Sequence, residues 1–451
     1  MKKRKQRKLP SVKSNRRVMR KDNFFARVSI LIGLLVSTLG NNIAVAQSRT
    51  SPALGADLTF ADWPHPLIAA WQDKDRGDEM ADAFRNVGLH SLRLSFSGIY
   101  SPRGQQATDR VRAENKTTND FPWFPFDQYV DWIVSHRFTT VVGINVEEGP
   151  AVAEEVVKLF IDRRAKKRLI ALELSNEPHL NHRPWLPEEY AARAADVIER
   201  LTPMNIHFGL PLTVGGESKT PTKLSDDEWN RRMLRALAVR IDLKNRGDIY
   251  GVLHLYAGGV RAKSLDLFNR AVRPFAPRMR YLVTEFNIRS SLEGNPQLTN
   301  RYAMEFARKL AELMASPDIE AMYVHSVPYH SIVYWSNGKR LATVIGQRDP
   351  RLTPDDLTRG WHQTPAGRVY GLFSRLAWNG ELIAYSSGDR QRYWAVRDAD
   401  GHVVVTLLND EDKTYQRKVK IGGLETILNA PPRSIICFNL SGAEIDRLVL
   451  K

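Results

Sequence analysis

The feature that most constrains the fold is a repeated alternation of short apolar segments with amphipathic helical segments, between about residues 54 and 365. Eight apolar segments of strand-like length recur, at about residues 54–60, 91–96, 139–146, 169–175, 210–215, 249–256, 280–286 and 321–325. Strand–helix alternation favours a parallel sheet covered by helices. Because eight such units in roughly 300 residues favour a closed sheet over an open one, the pattern predicts an α/β fold of the (β/α)8 TIM-barrel type.

A second pattern begins after about residue 380, where strand-like segments follow one another without helices between them. Residues 393–408 are typical of two strands joined by an Asp-Ala-Asp-Gly turn. Residues 415–421 and 434–440 continue this pattern. The sequence therefore predicts a barrel over residues 47–378 and a small, β-sandwich-like antiparallel accessory domain over residues 379–451.

Composition excludes several classes of protein. An apolar content of 43% and a charged content of 26% are those of an ordinary folded chain. The single cysteine, Cys437, rules out an intramolecular disulfide and a cysteine-based metal site. No Gly-x-Gly-x-x-Gly motif follows the early strands, which argues against dinucleotide binding. We predict neither a cofactor nor a bound metal.

The first 46 residues have the composition of an export signal. They carry twelve Lys or Arg and one acid, and an apolar run, Val28–Gly40, follows the basic stretch. The run spans about 20 Å as a helix, which is short of a bilayer core of about 30 Å. Small residues at Ala44 and Ala46 predict cleavage before Gln47 and a periplasmic or extracellular location. An uncleaved N-terminal anchor is the alternative, and only in that form do we expect membrane association.

The net charge of +16 does not indicate nucleic-acid binding. Residues 1–46 contribute eleven of the sixteen positive charges, so the remainder of the chain is only mildly basic. A protein that binds nucleic acid concentrates its basic residues on one working face. Nucleic acid is therefore not predicted as a partner.

Two carboxylates follow predicted strands at the positions where a TIM barrel carries its active site, the carboxyl ends of its strands. Glu177 follows the fourth strand in Ser-Asn-Glu-Pro, and Glu285 ends the seventh in Thr-Glu-Phe. Alone, the first motif could be a helix-capping turn before Pro178, and the second could be a surface acid. Together they match the chemistry of retaining glycosidases, which need two carboxyl groups about 5–5.5 Å apart. We expect the charge of Glu285 to raise the pKa of Glu177.

These motifs resemble clan A, the large group of retaining glycoside hydrolases built on a TIM barrel. The layout, including the C-terminal β domain, is most similar to the β-xylosidase and α-iduronidase family within that clan. The resemblance implies that Glu177 is the acid/base and Glu285 the nucleophile. It also implies that Asn176, before the acid/base, binds the sugar 2-hydroxyl.

Three further residues match the clan's pattern. The resemblance implies that Arg93, at the end of the second strand, supports the ionised nucleophile. It implies that His254 and Tyr256, in the His-Leu-Tyr motif ending the sixth strand, lie near the nucleophile. A hydroxyl donating to a carboxylate would favour its charged form.

One departure from the clan concerns the end of the eighth strand. Many members place a tryptophan there as a sugar platform, whereas this chain has His325. We expect either that Trp335 or the nearby Tyr329 or Tyr334 replaces it, or that the first sugar subsite is built differently. His179, just after the acid/base, is expected to line the sugar cleft.

The predicted function is hydrolysis of O-glycosidic bonds in a poly- or oligosaccharide by double displacement. Arg183, Lys219 and Arg289 follow predicted strand ends, so an acidic sugar is one candidate substrate. A transglycosylase would use the same residues. A non-catalytic, polysaccharide-binding or secretion-associated barrel is the alternative from another class. A distance near 5 Å between the carboxyl groups of Glu177 and Glu285 would favour an enzyme, whereas one beyond about 10 Å would oppose it.

Overall fold

Every residue that can be described belongs to one compact unit, residues 44–451. The computed structural model describes residues 49–50, 52–58, 73–94, 126–179, 185–213, 224–256, 262–288, 299–314, 316–327, 332–337, 359–377, 380–386, 391–421 and 424–450. The predicted export signal lies outside these residues and stays a prediction. Among the helices of the described ranges, none is long and apolar enough to cross a membrane.

Eight parallel strands form a closed barrel, which confirms the predicted fold class. The strands are β2 (Ala53–Leu58), β3 (Ser91–Leu94), β4 (Thr139–Ile144), β5 (Leu169–Leu174), β6 (Phe208–Pro211), β7 (Ile249–Tyr256), β8 (Tyr281–Asn287) and β9 (Ile319–Val327). Pairing of β2 with β9 closes the barrel. Nearly every residue of these strands is buried, as expected when helices cover a parallel sheet.

The strands alternate with α-helices. These are α1 (Lys74–Asn86), α2 (Phe126–Ser135), α3 (Pro150–Asp162), α4 (Pro187–Leu201), α5 (Asp226–Leu237), α6 (Ala262–Val272), α7 (Asn300–Met314) and α8 (Pro365–Leu372). Short 3-10 helices cover Val146–Glu148, Lys166–Arg168 and Thr202–Met204, and a π-helix covers Phe373–Ala377. The helix starts follow from local chemistry, since proline opens α3 and α4 while the side chains of Asp73 and Ser225 cap α1 and α5.

Close packing inside the barrel requires glycine at one strand position. A Cβ atom added to Gly55 on β2 would lie 2.5 Å from the ring of Tyr323 on β9. The Tyr323 hydroxyl in turn hydrogen-bonds the Ser91 hydroxyl at 3.1 Å. Glycine therefore lets a large aromatic side chain fill the barrel interior while its polar atom stays bonded.

The C-terminal region forms an antiparallel sheet, which confirms this part of the predicted fold, whereas the domain boundary at residue 379 and the sandwich-like packing stay predictions. Its strand order is β1-β12-β13-β14-β17-β18, and β15 and β16 form a separate two-stranded ribbon. The strands are β1 (Arg49–Thr50), β12 (Glu381–Ser386), β13 (Gln391–Arg397), β14 (Val403–Asn409), β15 (Tyr415–Ile421), β16 (Leu424–Ala430), β17 (Ser434–Asn439) and β18 (Glu444–Val449). A hairpin of β10 (Val333–Asn337) and β11 (Arg359–Gln363) precedes α8. The strand β1 precedes the barrel in sequence yet pairs with β12.

Candidate active site

A tight turn after the fourth barrel strand, β5, positions Glu177. Ser175 and Glu177 both have left-handed backbone conformations, with φ of 77° and 42°, which are costly for residues other than glycine. Hydrogen bonds hold the turn: the Ser175 N–H donates to Ile144 O at 2.8 Å, and the Ser175 hydroxyl accepts from the Val146 N–H at 3.1 Å. The side chain of Glu177 is consequently fixed at the carboxyl end of the barrel and remains 33% exposed.

Arg93, fully buried on β3, organises the centre of the site. Its Nε and Nη2 donate to the two carboxylate oxygens of Glu173, and Nη2 also donates to Asn176 Oδ1 at 2.8 Å. Its Nη1 donates to Glu285 Oε1 at 2.7 Å and to Asp57 Oδ1 at 3.2 Å. Since an arginine has five N–H donors, this one side chain uses its whole donor set to tie together the ends of four strands.

Glu285 is buried and surrounded by groups that favour its ionised form. Tyr256 donates a hydrogen bond to Oε2, and His254 Nδ1 lies 3.5 Å from the same oxygen. Burial alone would raise the pKa of Glu285, but the charges of His254, Arg93 and His325 hold it well below its usual range. The carboxylate therefore stays ionised, as a nucleophile requires.

His254 bridges the two candidate catalytic carboxylates. Its Nδ1 lies 2.9 Å from Glu177 Oε1, and the neighbouring carboxylates raise the pKa of His254 to about 10 although burial opposes this. Burial acts to raise the pKa of Glu177, but the hydrogen bond and charge of His254 outweigh it and lower that pKa. The expectation of a raised Glu177 pKa is therefore wrong for this arrangement, because it considered the charge of Glu285 without the intervening imidazole.

The spacing between the carboxylates is short. One oxygen of Glu177, one oxygen of Glu285 and a ring nitrogen of His254 all lie within 4.8 Å of one another. Asp57, Glu285 and His325 form a second such group. Either set has donor types that bind metals, but each histidine Nδ1 already faces a carboxylate, at 2.9 Å and 2.7 Å respectively.

Three buried polar residues of the site were not predicted. Asp57 and Glu173 lie inside strands β2 and β5, and both contact Arg93. Asn287 ends β8, where its side chain donates to His325 O. A sequence signal exists for the two acids, because a lone charge within an otherwise apolar, fully buried strand needs a buried partner.

The other two predicted site residues are His179 and Trp335. His179 is buried, its ring lies 5.8 Å from that of Trp229, and burial lowers the pKa of His179 to about 4. Its Nδ1 is enclosed and makes no hydrogen bond within the described part of the chain. Trp335 lies on β10, paired in register with Trp361, and its side chain falls outside the described residues. Sugar contacts by both residues stay predictions.

The remaining predicted cleft residues also lie outside the described ranges. They are Arg183, Lys219, Arg289 and Tyr329, together with the side chain of Tyr334.

Comparison with known proteins finds solved structures with a similar fold. No protein-family model matches the chain, and no curated protein matches its sequence. A family 51 α-L-arabinofuranosidase from Bifidobacterium longum has a similar structure, with a TM-score of 0.57 and 11% identity over 85% of this chain and 88% of that one. A GH39 β-xylosidase from Caulobacter crescentus gives 0.53 and 12% over 88% and 83%.

A third solved structure extends the range of similar proteins. It is a 4-O-α-L-rhamnosyl-β-D-glucuronidase from Fusarium oxysporum, with a TM-score of 0.54 and 10% identity over 91% of this chain and 94% of that one. At such low identity these likenesses establish the fold. The chain shares the fold of these glycosidases, and the fold that the resemblance implied is confirmed.

Proposed function

We propose that this protein is a retaining glycoside hydrolase in which Glu285 is the nucleophile and Glu177 the acid/base. The observation that carries the proposal is the pair of carboxylates, with oxygens within 4.8 Å, at the ends of the fourth and seventh barrel strands. Retaining enzymes have carboxyl groups about 5–5.5 Å apart, whereas inverting enzymes need about 6.5–9.5 Å to admit a water molecule. The fold shared with enzymes named as glycosidases supports the same assignment.

The two carboxylates differ in their surroundings, because nearby cations hold Glu285 ionised whereas Glu177 is hydrogen-bonded to His254. In the first step an ionised Glu285 oxygen bonds to the anomeric carbon while the glycosidic C–O bond breaks. The leaving oxygen takes the proton that Glu177 and His254 share across their 2.9 Å hydrogen bond. In the second step a water molecule transfers a proton to Glu177, attacks the anomeric carbon and releases Glu285.

The charge change at Glu285 links the two steps. The negative charge of Glu285 contributes to the raised pKa of His254. Formation of the glycosyl-enzyme ester removes that charge, so the proton affinity of the Glu177–His254 pair falls. Glu177 is then available as a base.

Asn176 is oriented for a sugar contact. Its Oδ1 accepts from Arg93, which directs its amide NH2 group away from the buried arginine. This geometry supports the role that the resemblance implies, donation to the 2-hydroxyl of the sugar on Glu285.

Kinetics with matched variants test the proposal. We expect the purified protein to hydrolyse a member of a panel of 4-nitrophenyl glycosides of both anomeric configurations. Glu285→Gln should lower kcat by about 10⁴-fold or more, because the nucleophile is lost. Glu177→Gln should spare substrates with good leaving groups in the first step. Glu320→Gln, a surface residue paired with Arg280, is the control and should leave turnover unchanged.

Product stereochemistry separates the alternatives. NMR of the first-formed product should show retained anomeric configuration. Inversion, or unchanged turnover in Glu285→Gln, would contradict the assignment. Added sugar acceptors would divert the product if the protein is a transglycosylase. Saccharide binding without turnover would favour the non-catalytic alternative.

Two further parts of the same proposal are export by the N-terminal segment and a poly- or oligosaccharide as substrate.

A further inference from the structure

His325 occupies the position at the end of the eighth barrel strand, directly beside the nucleophile. On β9 it pairs in register with Asp57 of β2, and its Nδ1 lies 2.7 Å from Asp57 Oδ2. The same Nδ1 lies 3.9 Å from Glu285 Oε2. Its ring meets that of Tyr256 edge-on at 5.6 Å. The Nδ1 edge of the imidazole is thus fixed against Asp57 and Glu285.

The other edge of His325 faces the cleft. Asp57 is 1% exposed, whereas the His325 side chain is 28% exposed. Since the Nδ1 edge is turned toward the buried aspartate, the exposed edge carries Nε2. Within the described part of the chain, Nε2 makes no hydrogen bond. Among the described residues, the oriented imidazole therefore has its Nε2 edge available to a ligand.

Asp57 determines the chemical character of that edge. When Asp57 accepts a hydrogen bond from Nδ1–H, Nε2 carries a proton and can donate only in the cationic form of the imidazole. Asp57 is itself held by Arg93 through its second oxygen, at 3.2 Å. The hydrogen bond and charge of Asp57 raise the pKa of His325, although burial opposes this. The donor is therefore charge-assisted, and such bonds are stronger than those between neutral groups.

The local charge disfavours an acidic sugar at this point. Four carboxylates, those of Asp57, Glu173, Glu177 and Glu285, surround three cationic side chains, Arg93, His254 and His325. With every group ionised the cluster carries one net negative charge. Among the residues that the structure describes, each cation of this cluster is already paired with an acid, so a further carboxylate placed here would be repelled.

We propose that His325, oriented by Asp57, is a specificity-determining residue that donates a hydrogen bond to one hydroxyl of the sugar unit bound on Glu285, and that this unit is neutral. The inference rests on the proposed glycosidase function. At the end of the eighth strand, where many members of the clan carry a tryptophan platform, this chain would use a directed polar bond. Selectivity follows, because a site built to bond a hydroxyl strongly rejects an analogue that lacks it.

A cycle of variants and substrates tests this inference. The best 4-nitrophenyl substrate and its set of monodeoxy analogues are assayed with the wild type, His325→Phe and His325→Gln. We expect His325→Phe to lower kcat/KM for the parent glycoside by about 10- to 100-fold, because a charge-assisted hydrogen bond is lost. One deoxy analogue should be a poor substrate of the wild type and lose nothing further in His325→Phe. His325→Gln, which keeps an N–H donor, should recover part of the loss.

The control and the contrary outcomes are defined by the same assay. His207→Phe removes another hydrogen-bonded histidine, paired with Tyr250 at 2.9 Å at the opposite end of the barrel, and should leave the selectivity unchanged. Equal losses on every deoxy analogue, no loss on any, or turnover of 4-nitrophenyl uronides at the rate of neutral glycosides would overturn the inference. Each of these results would leave the proposed glycosidase function standing. Absence of hydrolysis by the wild type would instead overturn that proposed function.

Discussion

Arg93 is the residue on which the site's electrostatics depend. It is fully buried, contacts three carboxylates, and their charges raise its pKa well above the ordinary value despite burial. A buried cation is tolerated when its donors are satisfied, and losing one partner leaves an uncompensated charge. Glu285 and the buried acids Asp57 and Glu173 therefore share one structural support.

Replacing this arginine by lysine tests that role. Arg93→Lys keeps the charge but has three donors and no planar fork, so we expect stability to fall by about 3–5 kcal/mol and kcat/KM to fall with it. Urea unfolding and steady-state kinetics measure the two effects. Arg232→Lys is the matched control, because Arg232 makes the same two-bond contact with Glu188 at the surface. Its exposure predicts little change. Equal effects of the two substitutions would contradict the account.

His254 makes the stability of the protein depend on pH. Its pKa is raised from the ordinary 6.5 to about 10. A raised pKa in the folded state gives stability that is fully present below about pH 6.5 and is lost as pH rises toward 10. We expect the difference in unfolding free energy between wild type and His254→Gln to shrink across this window.

Urea titrations at several pH values measure that difference. His207→Gln, at the other end of the barrel, reports general alkaline effects. A difference that stays constant from pH 6.5 to 10 would contradict a charged His254.

At the scale of single elements, the turn after β5 links backbone conformation to chemistry. The Ser175 hydroxyl accepts from Val146 N, and the turn holds two left-handed residues. Ser175→Ala should cost about 1 kcal/mol in stability and also lower kcat/KM, since Glu177 loses its fixed position. Ser225→Ala removes a comparable bond, from Glu228 N at the start of α5, and should cost stability alone. Unaltered kinetics in Ser175→Ala would contradict this role of the turn.

Element bounds show what sequence patterns can and cannot determine. The strand β7 has the bounds predicted for the sixth apolar segment, because its apolar pattern and its strong burial agree. The strand expected at 210–215 instead covers Phe208–Pro211, where its partners β5 and β7 determine the register.

At the scale of the whole molecule, the sequence indicates a closed barrel but not the distances between residues on different strands. The motifs containing Arg93, Asn176, Glu177, His254, Tyr256 and Glu285 were found because a barrel collects strand ends at one face. Asp57 and Glu173 were missed, because spacing along a fully buried strand does not reveal which side chains point inward. The contact between Glu177 and His254, at 2.9 Å, joins distant segments of the chain, which sequence patterns cannot supply.

The central claim is that Glu285 becomes covalently bonded to the sugar during turnover. Incubation with an activated 2-deoxy-2-fluoro glycoside of the preferred sugar, followed by peptide mass spectrometry, measures this directly. We predict one added glycosyl group on the peptide containing Glu285, with none in Glu285→Gln. Turnover without such an adduct, or an adduct on another residue, would contradict the proposed mechanism.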